Sequence, residues 1–148
     1  MTKNILILTI TCLATFGFVT GQSINKETIL FDGIYETTCE FEDKDDDEGS
    51  QYYLRFYPDG KVISVGTDCE GTADELKDWF HYDGEQVSKG IYKIKGNKIS
   101  FSTTGKAGTV SYHGQLIMDN VIKAKWKSFI NGEKGRQEYR FIKMTGLK

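Results

Sequence analysis

Proline is nearly missing from this sequence. Pro58 stands alone among 148 residues. There is no Pro/Ser-rich linker and no low-complexity tract apart from one acidic run, so nothing divides the chain into domains. Histidine is almost as scarce, with only His81 and His113, and neither has a ligand-type neighbour in sequence. That argues against a zinc site, and no metal is expected. No strand–elbow–helix motif presents a serine, and no His lies near a plausible Ser. Every Asp and Glu falls on a wet face, a turn or a loop, whereas glycosidase chemistry needs one acid in an apolar pocket. The expectation is a protein that is not an enzyme and carries no cofactor. The chain also lacks a basic excess. Its formal charge is −2, and general nucleic-acid binding needs a basic surface, so no nucleic-acid partner is expected.

Long apolar runs are missing too, except at the start. "MTKNILILTITCLATFGFVTG" carries Lys3, then an apolar stretch from Ile5 to Val19, then small residues at Val19 and Gly21. The stretch is short for a membrane span and no stop-transfer charges follow it. Residues 1–21 read as a signal peptide cleaved near Gly21/Gln22, with a membrane anchor as the alternative. The mature chain has no membrane span and is expected to be secreted or periplasmic, a single domain over 22–148, and a monomer. Two cysteines outlast cleavage, Cys39 and Cys69. An oxidising compartment makes one disulfide between them the expectation, with two free thiols as the alternative.

What the sequence does have is a period of two. "GIYETTCEF" sets Gly33, Tyr35, Thr37, Cys39 and Phe41 on one side. "QYYLRFY" sets Tyr52, Leu54 and Phe56 opposite Tyr53, Arg55 and Tyr57. "IKAKWKS" alternates Ile122, Ala124 and Trp126 with Lys123, Lys125 and Lys127. Similar alternation predicts eight strands near 30–42, 50–58, 61–67, 87–95, 98–104, 107–117, 121–130 and 137–144. Pro58-Asp59-Gly60, Gly96-Asn97, Asp119-Asn120 and Asn131-Gly132 supply the turns. Between strands three and four, Thr72 and Glu75 form a capping-box pattern. Ala73, Leu76, Trp79 and Phe80 follow at helical spacing, which predicts one short helix.

Alternate connections in an up-and-down sheet fall on opposite ends. The tight turns at 58–60, 95–97 and 118–120 fall on one end, and the acidic loop, the helix, 104–107 and the longer turn at 130–136 on the other. An even strand count lets the last strand pair with the first, which removes both edges. The expected fold is all-β, an eight-stranded antiparallel up-and-down barrel with one loop-rich, open end.

At this point the chain resembles the lipocalin-like, calycin-type barrels. "FDGIYETT" stands where that group carries Gly-x-Trp on its first strand, with Gly33 and Tyr35 matching the Gly and the aromatic. "GIYKIKGNKISFSTT…GTVSYHGQL" and "EYRFIK" are similar to small secreted barrel proteins of unassigned function. The resemblance implies the barrel fold over about 30–144 and, loosely, binding of a small apolar molecule.

Charge is segregated along the chain. Residues 40–48, "EFEDKDDDE", hold seven acids and one Lys, whereas 123–148 hold eight Lys or Arg against two Glu. The acidic loop fails as an EF-hand: from Asp43 it offers Glu48 at position 6 and Leu54 at position 12. It reads as a solvated rim, with weak calcium binding as the alternative, and would bias a barrel mouth away from anionic ligands.

Two readings of function follow. In the first, the interior holds a small, mostly apolar, neutral or cationic molecule lined by Tyr35, Tyr92, Tyr112 and Trp126, with Trp79 and Phe80 on a helical lid. In the second, the core is packed and the outer stripe Tyr53, Arg55 and Tyr57 anchors a glycan or protein, unless Trp79 and Phe80 cover it.

Overall fold

The computed structural model describes residues 28–41 and 48–147. The expected signal peptide and the heart of the acidic loop lie outside them. The strands are β1 (Gly33–Glu36), β2 (Gln51–Phe56), β3 (Lys61–Thr67), β4 (Ser88–Lys95), β5 (Lys98–Gly105), β6 (Gly108–Ile117), β7 (Val121–Ser128) and β8 (Lys134–Lys143). Each pairs antiparallel with the next, and β8 returns to β1 through Tyr35 opposite Phe141, closing the barrel. The turn residues take the positive φ that the hairpins require: Gly60 at 89°, Gly96 at 63°, Asn120 at 57° and Gly132 at 81°. No helix among the described residues is long and apolar enough to cross a membrane.

β1 is shorter than its alternation suggests, and Thr37 supplies the reason. Its amide donates to the Tyr52 carbonyl, its hydroxyl accepts from the Tyr52 amide, and its carbonyl accepts from the Gln51 side chain. Side chains thus take over hydrogen bonds that a regular ladder would supply, and only the bridge Glu40–Ser50 resumes the pairing. Phe41, expected to point inward, is exposed. Cys39 and Cys69 are joined, with their Cα atoms 5.8 Å apart. Gly49, at φ 62°, lies close against the bridge: a Cβ there would meet both sulfurs at about 3 Å.

The expected helix is only a single turn, Lys77–Trp79. The capping pattern is nonetheless real. The Thr72 amide and hydroxyl both donate to the Glu75 carboxylate at 2.8 Å, which holds that carboxyl below its ordinary pKa. Residues 68–87 spread into a strap instead of a longer helix because they have a sheet face to cover. Ile34, Tyr53, Ile63 and Val65 point outward from β1–β3, and Phe80, Val87 and Met144 close over them as a second core. The first core fills the barrel. The fold therefore has an apolar outer wall on β1–β3 under the strap and a polar outer wall on β4–β8.

Candidate functional site

In a closed barrel the interior is the natural place for a site. Tyr35, Tyr92, Tyr112 and Trp126 all belong to the inner cluster, as their parity required. Tyr35, Tyr92 and Tyr112 meet aromatic neighbours, and Trp126 lies against Gly135, where a Cβ would fall 2.8 Å from its ring. Phe56 makes edge contacts with Tyr35, Tyr92 and Phe101 at centroid distances of 5.5, 5.2 and 5.5 Å. Phe101 stacks on Tyr112 at 4.6 Å, and Tyr35 meets Phe141 at 5.2 Å.

The inward hydroxyls are also provided for. Tyr35 accepts from the Leu30 amide, Tyr92 donates to the Tyr57 carbonyl, and Tyr139 donates to Gln137. Tyr112 bonds with the Ser64–Thr103 hydroxyl pair. Burial raises the Tyr35 and Tyr112 hydroxyls above their ordinary pKa and the Tyr139 hydroxyl well above it, so all three stay neutral. A neutral, hydrogen-bonded ring cluster needs no ligand to complete it. Nor do the glycines open space. A Cβ on Gly33 would fall 2.0 Å from the Ile142 carbonyl oxygen, and one on Gly90 1.9 Å from that of Ser102. Both let neighbouring strands approach closely.

The lid reading is corrected as well. Phe80 is 1% exposed, but it lies on the outside of the barrel, its ring 5.2 Å from Tyr53. Trp79, beside it, is 47% exposed and joins neither core. The outer stripe is no docking surface either. Tyr53 and Arg55 are buried and Tyr57 is half-buried beneath the strap. The covering of the stripe by Phe80 is what forms, although Trp79 stays outside it. Arg55 lies over the Tyr57 ring at 4.7 Å and donates from Nη1 to the Phe80 carbonyl. Its Nε is a buried side-chain polar atom without a hydrogen-bond partner among the described residues.

The polar outer wall carries a large concave surface. Cross-strand register builds it row by row. One row runs Lys93, Ser100, His113, Lys125, Arg136 across β4–β8, and the next runs Lys95, Lys98, Gln115, Lys123, Glu138. Between the rows the backbone of inward-facing residues such as Ile99, Gly114 and Ala124 forms the floor of a trough of about 1350 Å³. A third row, Ser102, Ser111, Lys127, Lys134, borders it.

Seven Lys or Arg line the trough against two Glu. Glu138 is shared by Lys123 at 3.4 Å and by Arg140. Lys93, Lys95, Lys98, Lys125 and Arg136 have no ion-pair partner among the described residues. Three cross-strand pairs are like-charged, Lys95 opposite Lys98, Lys125 opposite Arg136 and Lys127 opposite Lys134, and such pairs destabilise a sheet. His113 sits mid-row beside Lys125, so it is one more donor facing the same trough. Among the described residues there is no group of three or more His, Cys, Asp or Glu placed to hold a metal ion.

The alternating lysines of β7 and the basic carboxyl-terminal stretch 123–148 are visible in the sequence, but there they read as solvated surface. The missing step is register, which brings Lys93, Lys95 and Lys98 into line with them across the intervening strands. Compared with protein-family models, curated proteins and solved structures, the chain matches none. The class is set by the architecture alone: a closed, all-antiparallel, eight-stranded up-and-down barrel of calycin-like form.

Proposed function

We propose that this chain is an exported, non-enzymatic binding protein whose ligand is anionic and lies along the outer wall of β4–β8. The barrel interior is then a solid support. The observation that carries this reading is the trough itself, in which seven cations face two carboxylates within a chain whose overall charge is negative. Charge concentrated on one wall against the sign of the whole molecule creates a local attractive field for anions. An interior site for a small apolar molecule is less well supported, because the rings touch and the tyrosine hydroxyls are already bonded.

The test is retention on a polyanionic matrix near neutral pH, where a net-negative protein should otherwise flow through. The mature protein should bind a sulfated-dextran column at low salt and elute on a sodium chloride gradient. Lys125→Glu combined with Lys127→Glu should pass unretained. Flow-through of the wild type at low salt, together with saturable binding of an apolar fluorescent probe, would return the site to the interior.

A further inference from the structure

The trough has a shape as well as a charge, and resting on the proposal of an anionic ligand, the shape narrows what that ligand is. Its rows cross five strands, which at about 4.8 Å per strand gives a track about 19 Å long. The rows are two residues apart along each strand, so the track is only about 7 Å wide. From β4 to β8 it follows half the circumference of the closed barrel.

A flat bilayer meets a curved wall along a narrow line. It cannot engage Lys93 on one flank and Arg136 on the other while also reaching the floor between them. A double helix is too stiff to bend around so small a barrel and too broad for the trough. Single-stranded nucleic acid is flexible enough, but its binding sites pair cations with aromatic platforms for the bases. No Phe, Tyr or Trp lines this trough, and His113 is its single ring. The lining does offer hydroxyl, amide and imidazole groups, Ser100, Gln115 and His113, interleaved with the cations. Hydroxyl-rich chains with regularly spaced anionic oxygens match that mixture.

We infer that the trough binds a linear anionic polysaccharide, carboxylated or sulfated, laid across β4–β8 between the row of Lys93, Lys125 and Arg136 and the row of Lys95, Lys98 and Lys123. The contacts are charge-assisted hydrogen bonds from ammonium and guanidinium groups, so affinity falls with salt. It also depends on how many rungs one chain reaches.

Calorimetric titration of the mature protein with size-fractionated oligogalacturonates and heparin fragments tests this, the two series separating carboxylate from sulfate recognition. Affinity should rise with chain length and level off once a fragment covers about 19 Å. Lys123→Glu with Lys125→Glu should weaken the long fragments at least about tenfold and flatten the salt dependence by about one unit of slope for each lysine replaced. Lys125→Arg should keep binding. Lys106→Glu, outside the trough, should change it less than about twofold, since its charge lies too far from the bound polysaccharide to be felt through salt; far-UV circular dichroism checks that each variant is folded.

Equal affinity for a disaccharide and a long fragment would overturn the inference, leaving a simple ion site. Tighter binding to oligothymidylate or to phosphatidylglycerol vesicles than to any sugar series would also overturn it. Binding to no polyanion at all would instead remove the reading on which the inference rests.

Discussion

Replacing Phe56 with Ala puts the solid interior to a direct test. The Phe56 ring is 1% exposed and stands at the centre of the aromatic cluster, with Tyr35, Tyr92 and Phe101 at its edges. Removing it forfeits the burial of one aromatic side chain and three edge contacts. It leaves a void that rings anchored by hydrogen bonds cannot easily collapse into. Substitutions of this kind cost about 3–5 kcal/mol. At roughly 3–6 °C per kcal/mol for a domain of this size, the melting midpoint should fall by about 10–30 °C. The variant should also gain what the wild type lacks, a dry cavity that takes up a benzene-sized molecule and is partly restabilised by it. Thermal denaturation followed by circular dichroism, with and without benzene, reads both effects. A loss below about 1 kcal/mol, or benzene stabilising the wild type as much as the variant, would mean that the interior already holds a cavity.

Three further outcomes follow from the same packing. Arg55→Ala should cost about 2–4 kcal/mol because it leaves the buried Phe80 carbonyl with only the long Tyr57 hydroxyl bond of 3.4 Å and opens a gap under the strap. Arg55→Met, which refills the volume, should cost clearly less, and equal losses on chemical denaturation would show that the gap contributes nothing and the guanidinium contacts everything. Replacing Cys39 and Cys69 together by Ser opens a link across a separation of 30 residues and should cost about 3–4 kcal/mol; a midpoint unchanged by reductant would contradict this. The folded pKa of Tyr139, Tyr112 and Tyr35 lies above the ordinary 10.0, so the folded state holds protons that the unfolded chain releases. Stability should then be complete below about pH 10 and fall as pH rises through the folded values. Tyrosinate absorbance should therefore rise together with loss of the far-UV signal, and full titration without unfolding would refute the burial argument.

The fold was legible because alternation of side chains is a local property. Turn residues such as Gly60 and Asn120 are local too, and together they gave strand count, parity and closure. The covering of a strand's outer face is not local. Ile34, Tyr53, Ile63 and Val65 alternate correctly whether water or a strap lies outside them, so the sequence offered Phe80 both as an interior lid and as a cover of the outer stripe, and the folded chain decides for the cover. A hint was present: "VISV" in β3 puts apolar residues on both faces, as strands covered on both sides do. The basic trough was hidden for a different reason. Its cations come from β4, β5, β7 and β8, and only register through Ser100–His113 and Lys98–Gln115 brings them into rows.

That register carries a cost that sodium chloride should reveal. Lys125 faces Arg136 and Lys127 faces Lys134, where a sheet built for stability alone would alternate charge. Lys95 faces Lys98 in the same way. Like charges directly opposite cost about 0.2–1 kcal/mol each, so the three pairs together cost about 0.6–3 kcal/mol at low ionic strength. Screening shortens the reach of these charges from about 30 Å at 0.01 M salt to about 8 Å at 0.15 M. The wild-type melting midpoint should therefore rise by a few degrees over that range, before any specific ligand is added. The acids of residues 40–48 repel one another too, so a rise alone would not locate the strain. Lys125→Glu does. It turns one like-charged pair into an attractive one, and should raise the midpoint at low salt while shrinking its dependence on sodium chloride. If Lys125→Glu melts lower than the wild type at low salt, or shows the same salt dependence, the lysine rows are not a source of stored repulsion. An anionic ligand would then gain nothing from relieving them.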